Sequence, residues 1–363
     1  MSDSSGEIHP HGMAAPTAYT AIRAQDPTAL APFYADVATR SIDQMAAGRG
    51  LVTAEMGRCD DSLIFRESCT AAMQTWGHFR TPSYGCVVTM APFPGGRYFG
   101  QDIVETSGLT LEPGMDFWLV APEGAEYGGI VMGEAQVMRH ATALQLASEE
   151  HLREIPRLID LPMHRVQGLR RFVTTVLANM ARNQDVARSP AACAHIQESA
   201  AVLLVCAFLG RSRLRGAGRP KASYERIARR ARDLVLSRPK EPPTLVELCE
   251  HLHVGVRTLN YAFQSAVGTS AGEFVRVVRL NRVREELIEA RGGNGVVLSR
   301  IASKWGFWHA SDFARQYRAL FGERPSETLH LNETPAALPG TRPRRAAPTP
   351  RTRTARRRTT KSA

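Results

Sequence analysis

The segment TLVELCEHLHVGVRTLNYAFQSAVG, Thr244–Gly268, decides how the second half of this chain is built. Thr244 is a good helix N-cap, and Leu245–Leu252 follows it as a short helix. His253-Val-Gly-Val256 then supplies a tight turn into a second helix that ends near Gly268. Two short helices joined in this way have helix-turn-helix spacing. On the second helix Leu259, Ala262, Phe263 and Ala266 recur at i, i+3, i+4 and i+7, so that face packs inward. The opposite face presents Arg257, Asn260, Tyr261 and Gln264. Arg can bond guanine O6 and N7, and Asn or Gln can bond adenine N6 and N7. A plain solvated helix carries the same residue types, so this block alone leaves both readings open.

A second block repeats the arrangement. In VLSRIASKWGFWHASDFARQYRALFG, Val297–Gly322, a short helix over Val297–Lys304 precedes the turn Trp305–His309 and a second helix over Ala310–Leu320. Phe313, Tyr317 and Leu320 point inward, which leaves Ser311, Ala314, Arg315 and Arg318 outward. Arg315 suits a guanine and Arg318 a phosphate, whereas Ala314 offers only apolar contact, as with a thymine methyl. Trp305, Phe307 and Trp308 are expected in the core rather than as stacking platforms. Between the blocks Ser270–Ala290 reads as one long helix with Phe274, Val277, Val278, Leu280, Val283 and Leu287 on its apolar side. At about 1.5 Å per residue it spans roughly 30 Å, close to one turn of DNA. A duplicated unit with such a spacer is hard to explain as packing alone.

Charge follows the same division. The 363 residues carry a formal net charge of +11. Basic residues number 19 against 22 acidic in 1–220, 18 against 12 in 221–330, and 9 against 1 in 331–363. The basicity therefore belongs to the C-terminal part, which suits a polyanion or a merely soluble basic surface. The six cysteines, Cys59, Cys69, Cys86, Cys193, Cys206 and Cys249, form no C-x-x-C pair and no Cys/His cluster at zinc-ligand spacing, so they read as reduced, mostly buried thiols. The polar, acidic start Met1–Glu7 lacks the features of a secretory signal. The apolar run Ala200–Leu209 is short of the roughly 20 residues that cross a bilayer. A cytoplasmic protein that makes no use of a membrane is expected.

Upstream of the helical unit the pattern is different. Residues 1–24, rich in Ser, Gly, Ala and Pro, read as a flexible arm. From Gly50 to Met132, β-favouring runs such as Ser62–Arg66, Tyr84–Met90, Asp102–Thr106 and Asp116–Val120 alternate with Gly/Pro turns, which implies a small β-barrel or sandwich. Met163–Ala181 and Ala191–Leu209 then read as helices. The fold class is therefore α+β, with a β domain carrying helices over 25–210, a linker over 211–222, an all-α unit over 223–330 and a disordered basic tail over 331–363. The tail would add salt-sensitive attraction to phosphates, or would simply be solvated.

Residues 223–330 resemble the DNA-binding domain of the AraC/XylS family of transcription regulators. The resemblance rests on Arg279-Leu-Asn-Arg-Val-Arg284 in the long helix, and on Gly306-Phe307, Phe313, Arg315, Tyr317 and Phe321-Gly-Glu-Arg-Pro325 in the second block. Leu252-His-Val254, Arg257-Thr-Leu259, Trp305-Gly-Phe-Trp-His309, Pro325-Ser326 and Thr328-Leu-His330 are similar to the ethanolamine-operon regulator branch, as is Leu63-Ile-Phe-Arg-Glu-Ser68 more faintly. The resemblance implies a regulator, an activator in keeping with the family, with double-stranded DNA, RNA polymerase and a small-molecule effector as partners. It makes residues 25–210 an effector-sensing and dimerisation domain, and so implies a homodimer. It also puts Arg257, Asn260, Tyr261, Ser311, Ala314 and Arg315 at base-facing positions. Gly255 departs from the usual Ser cap, and Arg324 from the usual small hydroxyl residue before Pro325.

No cofactor or metal is expected, and a D-x-H-x-x-G cobalamin-ligating signature is absent. The effector is not legible. Phe65, Trp76, Phe79, Tyr84, Tyr98 and Trp118 either line a pocket or serve as core and surface aromatics. An alkyl-transfer enzyme fused to the DNA reader would need an activated Cys, and a metalloenzyme barrel would need paired ligands that the scattered His78, His140 and His151 do not offer.

Overall fold

The computed structural model describes residues 19–143, 145, 152, 155–209, 222–238, 243–291, 298–330 and 336–337. The N-terminal part is a sandwich of two antiparallel sheets. Its strands are β1 (Tyr19–Ala24), β2 (Ala38–Gln44), β3 (Val52–Cys59), β4 (Ser62–Cys69), β5 (Met73–Phe79), β6 (Ser83–Thr89), β7 (Arg97–Tyr98), β8 (Gln101–Asp102), β9 (Ser107–Leu111), β10 (Asp116–Ala121), β11 (Glu126–Gly133), β12 (Leu158–Asp160) and β13 (Ala336–Ala337). One sheet runs β12-β9-β6-β11-β4-β3-β1-β13 and the other β2-β5-β10-β7-β8. In the β3–β4 hairpin Cys59 opposes Ser62, and Asp60 in the turn has φ 47°, the left-handed region that Asp tolerates in such loops.

Strands β6 and β11 read as continuous apolar runs because both of their faces are covered. Val87, Tyr127 and Val131 face the second sheet, in a core with Ile42, Leu63, Met73, Leu109, Leu111 and Phe117. Tyr84, Cys86, Val88, Ile130 and Met132 face the opposite way, against helices. Those helices follow α1 (Leu30–Phe33); they are α2 (Glu134–Ala143), α3 (Met163–Arg182), α4 (Gln184–Arg188) and α5 (Pro190–Leu209). By length and composition α5 is apolar enough to span a membrane, which the count from Ala200 alone missed. Here Ala200, Ala201, Leu204, Val205 and Phe208 are buried against the sheet, so α5 serves as a core helix of this layer.

The C-terminal part is helical: α6 (Ala222–Ser237), α7 (Leu245–Leu252), α8 (Val256–Ala266), α9 (Ala271–Glu289), α10 (Leu298–Lys304), α11 (Ala310–Phe321) and α12 (Pro325–His330). Thr244 and Glu247 form a reciprocal capping box at α7: the Glu247 N–H donates to Thr244 Oγ1 (3.2 Å) and the Thr244 N–H to Glu247 Oε2 (2.6 Å). Ser270 Oγ caps α9 by accepting from the Glu273 N–H at 3.2 Å. At α8 the cap is Gly255, with no side-chain bond.

Helix α9 serves both blocks. Phe274, Val275 and Val278 pack toward α8, where Phe274 meets Phe263 at 4.6 Å between ring centroids. Val277, Leu280, Val283 and Leu287 pack toward Phe313, Tyr317 and Leu320 of α11. Both sides of the helix are therefore apolar, and the two blocks share one rod.

Three expectations change. Tyr19–Ala24, expected in a loose arm, is a strand paired along its length with β3. The sheets begin before Gly50, with β1 and β2. The run expected over Asp102–Thr106 is a strand only at Gln101–Asp102. Residues 1–18, 211–221 and most of the tail lie outside the described residues. Of the tail only Ala336–Ala337 is described, and it pairs with Arg23 and Ile22 at the sheet edge.

Candidate nucleic-acid interface

The two blocks can be aligned on their backbone hydrogen bonds. The Leu259 N–H donates to Gly255 O (3.0 Å) at the start of α8, and the Phe313 N–H to His309 O (2.9 Å) at the start of α11. On this register Arg257, Asn260, Tyr261 and Gln264 correspond to Ser311, Ala314, Arg315 and Arg318. The turns themselves differ. The Val254 N–H closes on Cys249 O and the Phe307 N–H on Ala302 O, both at 3.0 Å, so Val254 corresponds to Phe307. The second turn thus holds one extra residue before its helix, and that residue is Trp308.

All four outward positions of α11 are exposed, as are Arg257, Tyr261 and Gln264 on α8. Arg257 stacks on Tyr261 (5.5 Å from guanidinium carbon to ring centroid) and donates to its hydroxyl at 3.2 Å. Arg315 is held by Asp312 at 2.7 Å, one turn back on α11. Both pairs are in water and so are cheap to rearrange. Asn260 behaves differently from the others. It is half-buried, and its Oδ1 accepts from the Ala271 N–H at 3.1 Å, at the first turn of α9. Its carbonyl is thus engaged in fixing α8 against α9, which leaves only its amide nitrogen for a base.

Trp308 overturns the expectation of a buried aromatic cluster. Trp305 is buried and Phe307 half-buried against Phe313, but Trp308 is 72% exposed. Its chain neighbour Phe307 already fills the core position, so the extra residue has no place inside. A side chain of this size left in water immediately before α11 is an addition that sequence periodicity could not assign to either face.

The N-terminal domain grips the far side of this helical unit. Gln44 and Asn281 exchange hydrogen bonds: the Gln44 N–H donates to Asn281 Oδ1 (2.8 Å) and Asn281 Nδ2 to Gln44 O (3.0 Å). Arg282 pairs with the buried Asp43. Gln44 Nε2 and the Gly48 N–H both donate to Leu320 O near the end of α11, at 2.9 and 3.0 Å. Arg97 Nη1 donates to Gln264 O near the end of α8 at 2.9 Å. The C-terminal ends of both outward-facing helices are therefore held by one rigid sandwich, while the faces that carry Arg257 and Arg315 stay open.

Burial pushes Cys69 and Cys86 up to about 12, so both stay protonated at neutral pH. Of the aromatic residues weighed as pocket lining, Phe65, Phe79 and Tyr98 do border a cavity between the sheets. Trp76 and Trp118 stack on each other at 4.0 Å, and Tyr84 packs on Phe208 on the other side of the sheet. The cavity also takes in Tyr34, Arg40, Glu67, Phe117 and Tyr127, which no local pattern had singled out.

A helix-turn-helix domain family matches residues 248–330. The chain is 33% identical over 110 residues to the probable thc operon regulatory protein of Rhodococcus erythropolis, covering 30% of this chain and 33% of that protein. It is 31% identical over 107 residues to the XylDLEGF operon transcriptional activator 3 of Pseudomonas putida, covering 30% and 31%. Among solved structures, a probable AraC family transcriptional regulator from Rhodopseudomonas palustris CGA009 is 31% identical, with 29% of this chain and 94% of that chain covered and a TM-score of 0.26. The chain thus spans about a third of the length of these curated relatives.

Proposed function

We propose that this chain is a sequence-specific DNA-binding transcription regulator of the AraC/XylS type, an activator controlled by a small-molecule effector. The observation that carries this reading is the doubled helix-turn-helix, whose outward positions correspond one to one and, Asn260 apart, stay exposed while the sandwich holds the C-terminal ends of both helices. In this reading α8 and α11 enter successive major-groove segments of duplex DNA, and residues 25–210 sense the effector and pair two copies of the chain. RNA polymerase is the partner through which an activator works, and the cytoplasm is where it acts. In this reading the chain stands near the ethanolamine-operon regulator branch, which the similarity of Trp305–His309 and its companions supports without transferring an effector.

Binding-site selection with the full chain tests the reading. Arg257→Ala and Arg315→Ala should each cost about 1–3 kcal/mol of binding and relax base choice in one half of the site only. Arg318→Ala should weaken all duplexes similarly, as loss of a phosphate contact does. Two arginines that relax the same base position, or relax none, would defeat the assignment of successive grooves. If the parent chain prefers no duplex over a scrambled one at physiological salt, the proposed function itself fails.

Trp308 supplies a second measurement. The other three tryptophans are buried, so a change of indole emission on adding DNA should come from Trp308. Trp308→Ala should leave stability within about 0.5 kcal/mol, as exposed substitutions do. It should cost about 1–2 kcal/mol of DNA binding, from apolar area no longer covered by the duplex. Emission that does not respond to DNA, with unchanged affinity in the variant, would place the indole away from the duplex.

A further inference from the structure

The correspondence between the two blocks continues beyond their outward helices. Gly268 follows α8 with φ 84° and Gly322 follows α11 with φ 71°, and Ser270 and Arg324 stand two residues further on. A glutamate three residues later closes each turn. The Glu273 N–H donates to Ser270 Oγ at 3.2 Å, and the Arg324 N–H donates to Glu327 Oε2 at 2.6 Å. On this register Ser270 corresponds to Arg324 and Ala271 to Pro325, just as Asn260 corresponds to Ala314.

In the first block the bond from the Ala271 N–H to Asn260 Oδ1 closes the seam between α8 and α9. The second block cannot make that bond, because Ala314 has no acceptor and Pro325 has no N–H. An open groove of about 690 Å³ lies there, alongside α11 from Leu298 to Ser326. Ala314, Ala319 and Pro325 give it an apolar lining, and Arg315, Arg318 and Arg324 give it charge. Arg315 is engaged by Asp312. Arg318 and Arg324 are exposed, and neither guanidinium has a partner among the described residues.

We propose that this groove takes the sugar-phosphate backbone of duplex DNA beside the segment that α11 covers, with Arg318 and Arg324 on phosphate and the apolar lining against deoxyribose. The proposal rests on the regulator reading above and adds Arg324 to its contacts. A helix with its side chains is about 10–12 Å across and fills a major groove about 12 Å wide, so whatever flanks the helix meets the phosphate walls. The groove flanks α11 and shares Ala314, Arg315 and Arg318 with its outward face, so a duplex on that face covers it. An acidic protein segment in the same place would have to leave before α11 could reach bases. The two blocks are therefore unequal readers. The first spends Asn260 on closing its seam, whereas the second leaves the seam open and carries a cation where the first has a serine cap.

The test uses the full chain. Arg324→Ser puts into the second block the residue that the first block has, so the variant should unfold at the parent's temperature or above. It should bind every duplex about tenfold less tightly, with the slope of log K against log salt shallower by about 1, whereas Arg324→Lys should keep the slope. Duplexes carrying one neutral methylphosphonate then locate the contact. At a position beside the segment whose base choice Arg315→Ala relaxes, that change should cost the parent about tenfold and the Arg324→Ser variant no more than about twofold. An unchanged salt slope, or equal losses for parent and variant at every phosphate, would overturn the proposal. So would an Arg324→Ser variant that binds DNA like the parent yet fails to activate transcription by purified RNA polymerase, since the groove would then belong to a protein partner. Sequence preference in the parent without the phosphate coupling removes the groove contact alone. A shallower slope for Arg324→Ser when the parent prefers no sequence keeps the contact and removes the regulator, and a parent that binds no duplex removes both.

Discussion

Arg284→Ala lowers the stability of the protein by about 3–5 kcal/mol, because it strips a buried ion network of its one cation. Arg284 lies on α9 with its side chain 7% exposed, and it ties three parts of the chain together. Its Nε donates to Asp26 Oδ2 at 2.9 Å, just beyond β1, and its Nη1 donates to Glu323 Oε1 at 2.7 Å, between α11 and α12. Thr328 Oγ1 donates to the same Glu323 oxygen at 2.5 Å, and Tyr317 lies against Thr328 at 2.8 Å. Burial alone would pull the guanidinium down, but the charges of Asp26, Tyr317 and Glu323 hold it above the ordinary arginine value. With alanine there, the carboxylates of Asp26 and Glu323, 17% and 4% exposed, lose the cation that both share. Denaturant unfolding at neutral pH measures the loss. Combining Arg284→Met with Asp26→Asn and Glu323→Gln should recover most of it, since the cost lies in the abandoned charges. A single-variant loss below about 1 kcal/mol would show that water reaches the site and screens it.

Phe313→Ala carries a cost of similar size, about 3–5 kcal/mol, for a different reason. The ring is 1% exposed and sits between Phe307 at 5.3 Å and Tyr317 at 5.7 Å, over Val277 and Leu280 of α9. It is the residue that seats α11 on the shared rod, so the cavity it leaves loosens the whole second block. The first block keeps its own core of Leu259, Ala262, Phe263 and Phe274. Site selection with the variant should therefore retain base preference in one half-site and lose it in the other, alongside the drop in stability. Loss of preference in both halves at a temperature where the chain stays folded would mean that the two blocks do not act as separable readers.

The outward set on α8 and α11 was legible because it is fixed by elimination: once Leu259, Phe263, Phe313 and Tyr317 must face inward, the remaining positions of an 11- or 12-residue helix have only one side left. The same reasoning misplaced Trp308, since it lies in a turn that has no periodicity, and its neighbour Phe307 had taken the core position. It also could not see that Asn260 is partly engaged, because the Ala271 N–H it serves belongs to the next helix.

Local pattern therefore determined the helix-turn-helix duplication, the shared spacer helix, the cap at Thr244 and the presence of a β domain with helices behind it. Each of these is decided within about twenty residues, where side-chain period and turn chemistry act directly. Tertiary structure alone decided that Tyr19–Ala24 is a strand and that Arg40 and Glu67 share a cavity. It alone decided, too, that Gln44 meets Asn281 across 237 positions of sequence. Those pairings depend on sheet order and on how two domains dock. Their strength comes from exclusion of water at the contact, a property that no short stretch of either partner possesses by itself.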